Sequence, residues 1–217
     1  GEVASEGRTV LFVSHNMAAI QSLCQKAILI QRGQLYRTGD VNDIISYYLS
    51  DIPSETKSLR DRKDRQGNQR VVITQLGIYP SKGKFREVIY SGEDIVIEIQ
   101  YENQTGETIK NIEICIGIYD TLGRAITFLE NTPLERTLSA ENCGGSYYCM
   151  VPKIALVPGD YIVNIHIKES GQLLDWIQQA VRFTVHEGDF FKTGKFTWTN
   201  LGGVFMEQSW SQRYTDR

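Results

Sequence analysis

From Val71 onward apolar side chains recur at every second position, and that period constrains the fold more than any other feature of the chain. In residues 94–101, Ile95, Ile97, Ile99 and Tyr101 fall on one side of an extended backbone. Ile112, Ile114, Ile116 and Ile118 repeat the pattern, as do Tyr161, Val163, Ile165 and Ile167. Residues 173–185 repeat it again with Ile177, Val181, Phe183 and Val185. Successive side chains of a strand point to opposite faces, so each run is a strand with one face in a core. Turns separate the runs: Asn103-Gln104-Thr105-Gly106, Asp120-Thr121-Leu122-Gly123, Cys143-Gly144-Gly145 and Val157-Pro158-Gly159-Asp160. Strands of this kind bury their apolar faces by packing sheet on sheet. The expected class is mainly β: an antiparallel β-sandwich, immunoglobulin-like or jelly-roll, over residues 71–217. No stretch after residue 50 has a convincing helical period.

The first fifty residues read differently. Thr9-Val10-Leu11-Phe12-Val13 is a continuous apolar run, the pattern of a strand buried on both faces of a parallel sheet. Met17, Ile20, Leu23 and Cys24 have helical spacing, and a second apolar run covers residues 27–30. Arg32-Gly33-Gln34 turns into Leu35-Tyr36-Arg37, a hairpin. Asp40 is placed to cap a closing helix with Ile44, Ile45, Tyr48 and Leu49 on one face. This is α/β material too small to bury its own parallel strand, so residues 1–50 are expected to be an incomplete piece of a larger α/β domain. Residues 51–70 hold almost no large apolar side chain, and six basic and three acidic residues lie between Glu55 and Arg70. A solvated linker is the expectation there, with a basic contact to a phosphate-bearing lipid or partner as the sharper alternative.

Composition narrows the function. The net charge of −3 provides no global field for nucleic acid or anionic lipid. No stretch reaches the roughly 18 apolar residues that span a bilayer, so membrane association is expected to go through a partner. Of the four cysteines, Cys24, Cys115, Cys143 and Cys149, none forms a CxxC pair or a Cys/His cluster with metal spacing, and no metal site is expected. Cys115 alternates with isoleucines and reads as a buried thiol. Cys143 and Cys149 flank a Gly-Gly turn, which leaves a disulfide open beside the reading of reduced cytoplasmic thiols.

One motif carries chemistry. Gly7-Arg8-Thr9-Val10-Leu11-Phe12-Val13-Ser14-His15-Asn16-Met17 resembles the switch-histidine segment of ABC ATPases, where a buried strand ends in a histidine facing the γ-phosphate. Ala27-Ile28-Leu29-Ile30-Gln31-Arg32-Gly33-Gln34 and Thr38-Gly39-Asp40-Val41 match the strand and hairpin that end such domains. The sequence has no GxxxxGK[ST] phosphate loop, no signature motif and no Walker B strand. ATP and Mg, implied by the resemblance for an intact parent, therefore have no site in these residues, and His15 is stranded from its partners. Ser14-His15-Asn16-Met17 followed by "GDVNDIISYYL" resembles the ATP-binding subunits of Wzt-type O-antigen polysaccharide exporters and of teichoic-acid exporters. "YSGEDIVIEIQYE", "IGIYDTLGRAI", "LVPGDYIVNIHI", "WIQQAVRFTV" and "GDFFKTGKFTWTNLGGVFMEQSW" are similar to the Wzt C-terminal domain.

That resemblance implies a non-catalytic carbohydrate-binding module. It would recognise a completed lipid-linked glycan in the cytoplasm, at the inner face of the bacterial inner membrane, and couple it to export through a membrane permease subunit. It also implies a homodimer built partly through the C-terminal strands. An alternative is a regulatory sandwich that binds a protein or small ligand. A glycan-processing enzyme would need paired carboxylates among Glu98, Glu113 and Asp175, and nothing in the sequence sets two of them together.

Sugar recognition needs aromatic faces and planar polar side chains on a rigid sheet. On the non-core side of the strands lie Trp176, Gln178 and Arg182, Asn164 and His166, Gln100, Tyr119, and Tyr148, with Lys168, Glu98 and Glu113 beside them. These are the candidate carbohydrate-binding residues, Trp176 and His166 foremost. Trp198 and Trp210 read as packing or dimer anchors.

Overall fold

A computed structural model describes residues 10–13, 20, 21, 23–31, 33–50, 58–81, 88–195 and 203–211 of the 217-residue chain. The four period-two runs fall in strands at residues 95–103, 109–120, 159–169 and 172–186. The strands in order are β1 (Lys26–Gln31), β2 (Gln34–Asp40), β3 (Val71–Pro80), β4 (Ile89–Tyr90), β5 (Ile95–Asn103) and β6 (Ile109–Asp120). β7 (Ala125–Glu130), β8 (Leu138–Ala140), β9 (Gly145–Val151), β10 (Gly159–Glu169) and β11 (Gln172–His186) follow, and the helix α1 (Val41–Ser50) lies between β2 and β3.

Two sheets face each other. The larger runs β4-β11-β10-β6-β7, with β8 also on β6; the smaller runs β3-β5-β9. All ladders in them are antiparallel except the short β4–β11 pair. Between the sheets lies one apolar core. Ile95, Ile97 and Ile99 come from the small sheet; Ile112, Ile116, Val163, Ile165, Ile167 and Ile177 come from the large one, each almost fully buried. The alternation has this physical content: one side of every central strand makes the core, and the other is left to face outward.

The N-terminal residues are an appendage to this sandwich. β1 and β2 form an antiparallel hairpin. Asp40 Oδ1 accepts the Asn42 N–H at 2.9 Å and caps α1 as expected. Val41 and Ile45 of α1 pack on Ile162, an outward residue of β10, with Tyr48 and Leu122 against the same cluster. The Leu49 side chain lies outside the described ones. The buried strand expected at residues 9–13 is not formed at the described part of it: residues 10–13 are irregular, and Val13 is 95% exposed. A run apolar on both faces needs strand neighbours and cover on both sides, and the described residues bring neither to it. Ser14, His15 and Asn16 lie outside the described residues.

The second half of the expected linker is corrected. Residues 58–70 form a strap across the side of the sandwich where β3 and β11 meet. Leu59 is 2% exposed, and its N–H bonds Thr74 O at 2.8 Å. Gln66 and Trp176 exchange two backbone hydrogen bonds, at 3.0 and 2.8 Å. Gln69 N–H reaches Leu174 O at 2.8 Å. Gly67, at φ +113°, lies so close to β11 that a Cβ there would stand 2.4 Å from Leu174 O. Arg65 Nη1 bonds Asp175 Oδ2 at 2.8 Å inside the fold, with only 3% and 0% of the two side chains exposed. Arg65 also donates to the Leu59 and Ile73 carbonyls, and Ile73 N–H donates to Asp175 Oδ2 at 2.8 Å. Of the basic residues that suggested solvent, Arg62 and Arg65 donate to backbone carbonyls and Arg65 to a buried carboxylate, while Arg60 and Arg70 pair with Glu102 and Glu169.

At the other end of the chain, Phe205 N–H bonds Ala155 O at 2.6 Å and the Phe205 ring stacks on Phe190 at 5.1 Å. Trp210 is 90% exposed and anchors nothing among the described residues; Trp198 lies outside them.

Candidate functional site

Strand register decides which outward residues meet. On the larger sheet Trp176 stands opposite His166, His166 opposite Cys115, and Cys115 opposite Glu130, one row across β11, β10, β6 and β7. The next row places Asn164 opposite Gly117 and Gly117 opposite Phe128. Tyr119 follows two residues along β6, and Lys168 and Glu113 are paired at the far end. β10 and β6 alternate strictly here, with Val163, Ile165 and Ile167 and Ile114, Ile116 and Ile118 in the core, so Asn164 and His166 of β10 and Cys115, Gly117 and Tyr119 of β6 share the outward side.

Aromatic surface sits over a deliberate gap in this face. The Tyr119 and Phe128 rings meet edge to face, centroids 6.0 Å apart at 89°. Gly117 lies beneath them, and a Cβ there would come within 2.7 Å of Tyr119 Cε2 and 3.1 Å of Phe128 Cε1. Phe128 is about half exposed. Beside the pair, Trp176, His166 and Asn164 are half-buried.

The polar groups are held in fixed states. Burial, helped by Lys168, lowers the His166 pKa below its ordinary value against the opposing pull of Glu130 and Glu113. At neutral pH the ring is therefore uncharged, with one donor and one acceptor nitrogen. Burial and the neighbouring Glu130 push the Cys115 thiol up to about 12, so it stays protonated. Asn164 Oδ1 accepts the Gln179 N–H at 2.7 Å, which fixes the orientation of the amide. Arg182 donates to Asp160 Oδ2 at 2.6 Å. Burial works against the Asp160 charge, but hydrogen bonds from Thr184 and Arg182 outweigh it and lower its pKa.

The sequence candidates thus divide between the two faces of the molecule. Trp176, His166, Asn164, Tyr119, Gln178 and Arg182 belong to the larger sheet, but α1 packs over Ile162, which separates Arg182 from Tyr119 in their row. Gln100 and Tyr148 lie on the opposite, three-stranded sheet. There Tyr148 Oη, Ser146 Oγ and Gln100 Nε2 all donate to Glu98 Oε1, at 3.2, 3.3 and 3.4 Å. One ligand cannot touch both sets across a sandwich roughly 10 Å thick between sheets. The three carboxylates considered for hydrolysis are also apart: Glu98 on one face, Glu113 on the other, Asp175 ion-paired in the interior. All four cysteines are unbridged in the structure.

Two residues of the larger face escaped the sequence reading, Phe128 and Gly117. A glycine between Ile116 and Ile118 was the available signal, since an interior strand glycine marks a close approach.

Fold and face together define a mainly β module that presents aromatic and neutral polar groups on a rigid sheet. The chain belongs to the Wzt C-terminal domain family, which matches residues 62–197, and the match begins inside the strap. The crystal structure of the C-terminal domain of Wzt shares the fold, with a TM-score of 0.57 at 14% identity over 74% of this chain and 92% of that one. The teichoic acids export ATP-binding protein TagH of Bacillus cereus is 36% identical over 69 residues, 31% of this chain. TagH of Staphylococcus saprophyticus is 34% identical over 70 residues, 32% of this chain. The matched stretch spans 13% of the length of the first relative and 24% of the second. The helices of the described residues include none long and apolar enough to cross a membrane.

Proposed function

We propose that this chain is the substrate-reading part of the ATP-binding subunit of a polysaccharide ABC exporter, and that its larger sheet binds a saccharide of the polymer to be exported. The observation that carries the reading is the outward face where the Trp176–His166 row lies beside the Tyr119–Phe128 pair over Gly117. Aromatic rings supply flat apolar surface for the C–H faces of a pyranose, and neutral imidazole and amide groups match its hydroxyls without demanding a charge. Family membership and the exporter names of the relatives support the setting. The substrate is a lipid-linked glycan, of O-antigen or related cell-surface type, presented on the cytoplasmic side of the membrane. The partners are a permease subunit and a second copy of the chain. ATP and Mg would be held by other parts of the intact subunit, and the role of this chain is binding.

The test is a tryptophan-fluorescence titration of the chain with polysaccharide purified from the surface of the strain that encodes it. Saturable binding is expected. Trp176→Ala and His166→Ala should each weaken it by about tenfold, roughly 1.4 kcal/mol, with the fold intact. Wild-type affinity in both variants would remove the site from this face. A flat titration that turns saturable with a protein or metabolite would instead favour a regulatory module.

A further inference from the structure

Two segments that precede the sandwich converge on one irregular stretch of β11. Val163 pairs with Val181 and Ile165 with Ile177, so Gln178, Gln179 and Ala180 stand against Asn164 alone, a bulge. Its middle residue, Gln179, has φ +50°. A non-glycine residue in this region is strained and persists where its surroundings over-determine it. Here the surroundings are explicit. Asn164 Oδ1 takes the Gln179 N–H. Arg62 of the strap donates to the backbone carbonyls of Gln178 and Gln179, at 2.9 and 3.2 Å. The Tyr48 hydroxyl of α1 donates to Gln179 Oε1 at 2.9 Å. Just before the bulge, Gln66 of the strap takes both backbone groups of Trp176.

The bulge therefore interrupts the strand between Trp176 and Arg182: Asn164 and Arg62 take backbone groups it leaves open, and Tyr48 holds the Gln179 side chain. A bulge re-aims the side chains beside it. Which way Gln178 and Trp176 point is thus set partly by α1 and the strap, the elements that join the sandwich to the N-terminal hairpin.

We propose that the β11 bulge is the coupling point between the binding face and the N-terminal segment, with Tyr48 and Arg62 as positioning residues that aim Trp176 and Gln178 at the saccharide. The inference rests on the larger sheet being the saccharide site. Coupling of this kind is reciprocal: a ligand that prefers the aimed arrangement also tightens α1 and the strap by the same factor. Occupancy of the face is in this way passed to the residues that lead towards the N-terminal side of the chain.

The experiment uses the full chain and the same purified surface polysaccharide. Tyr48→Phe keeps the ring and removes one donor; Arg62→Met keeps the stem and removes the guanidinium. Each should weaken binding about three- to tenfold. Hydrogen exchange should slow on saturation in peptides covering residues 41–50 and 62–70, and the double variant should lose that protection while it still binds. If Arg62→Met lowers the melting temperature, the Tyr48→Phe arm decides. Wild-type affinity in Tyr48→Phe, with no ligand-dependent protection of either peptide, overturns the coupling and leaves the saccharide site standing. No binding by the wild-type chain, or binding indifferent to Trp176→Ala, overturns the site and the coupling with it.

Discussion

His166 sits between Trp176 and Cys115 in its row, and its titration follows from that position. Burial, with Lys168, holds its folded pKa below the ordinary 6.5. The unfolded chain then takes up the proton first, so stability from this residue is complete above pH 6.5 and declines as pH falls towards the depressed value. Saccharide affinity should decline in the same direction, and His166→Gln should flatten both profiles; a pH series of thermal melts and titrations checks it. Cys115 offers a second residue-scale test. With its thiol pushed up to about 12 and buried, it should resist iodoacetamide at about pH 8 in the native chain, whereas exposed Cys143 is alkylated readily, as read by peptide mass spectrometry. Gly117→Val would force the Tyr119 and Phe128 rings off their seat, and overpacking of that kind costs about 1–3 kcal/mol in a denaturant melt.

At the scale of elements, the strap separates what a sequence exposes from what it hides. β5, β6, β10 and β11 were legible because each turns one apolar face to a shared core, and period two records that face directly. The strap was not legible. Arg62, Arg65 and Gln66 are held by backbone carbonyls and by Asp175, and polar partners of this kind leave no hydrophobic period behind. The candidate site was legible to the same partial degree. Outward residues of single strands could be named, but the pairing of strands into sheets is not in the period, so Gln100 and Tyr148 were grouped with residues now on the opposite face. The Arg65–Asp175 pair yields the prediction at this scale. Arg65→Met leaves a carboxylate buried without its partner and should cost about 3–5 kcal/mol by urea denaturation, while Arg65→Met combined with Asp175→Leu should recover most of the loss.

The molecule as a whole is a sandwich with two dressed faces and an N-terminal appendage seated on one of them. α1 covers Ile162, two residues along β10 from Asn164, so the row of Asn164 and His166 borders on the segment that leads to the hairpin. Saccharide bound on this face, as proposed, would be reported to that segment. Side-chain NMR of the chain titrated with the surface polysaccharide decides whether saccharide is read on the larger sheet. Shifts are expected on the Trp176 indole N–H, the His166 ring and the Asn164 amide, with Gln100 and Tyr148 unmoved. Shifts confined to Gln100, Tyr148 and their neighbours, with Trp176 and His166 still, would contradict it.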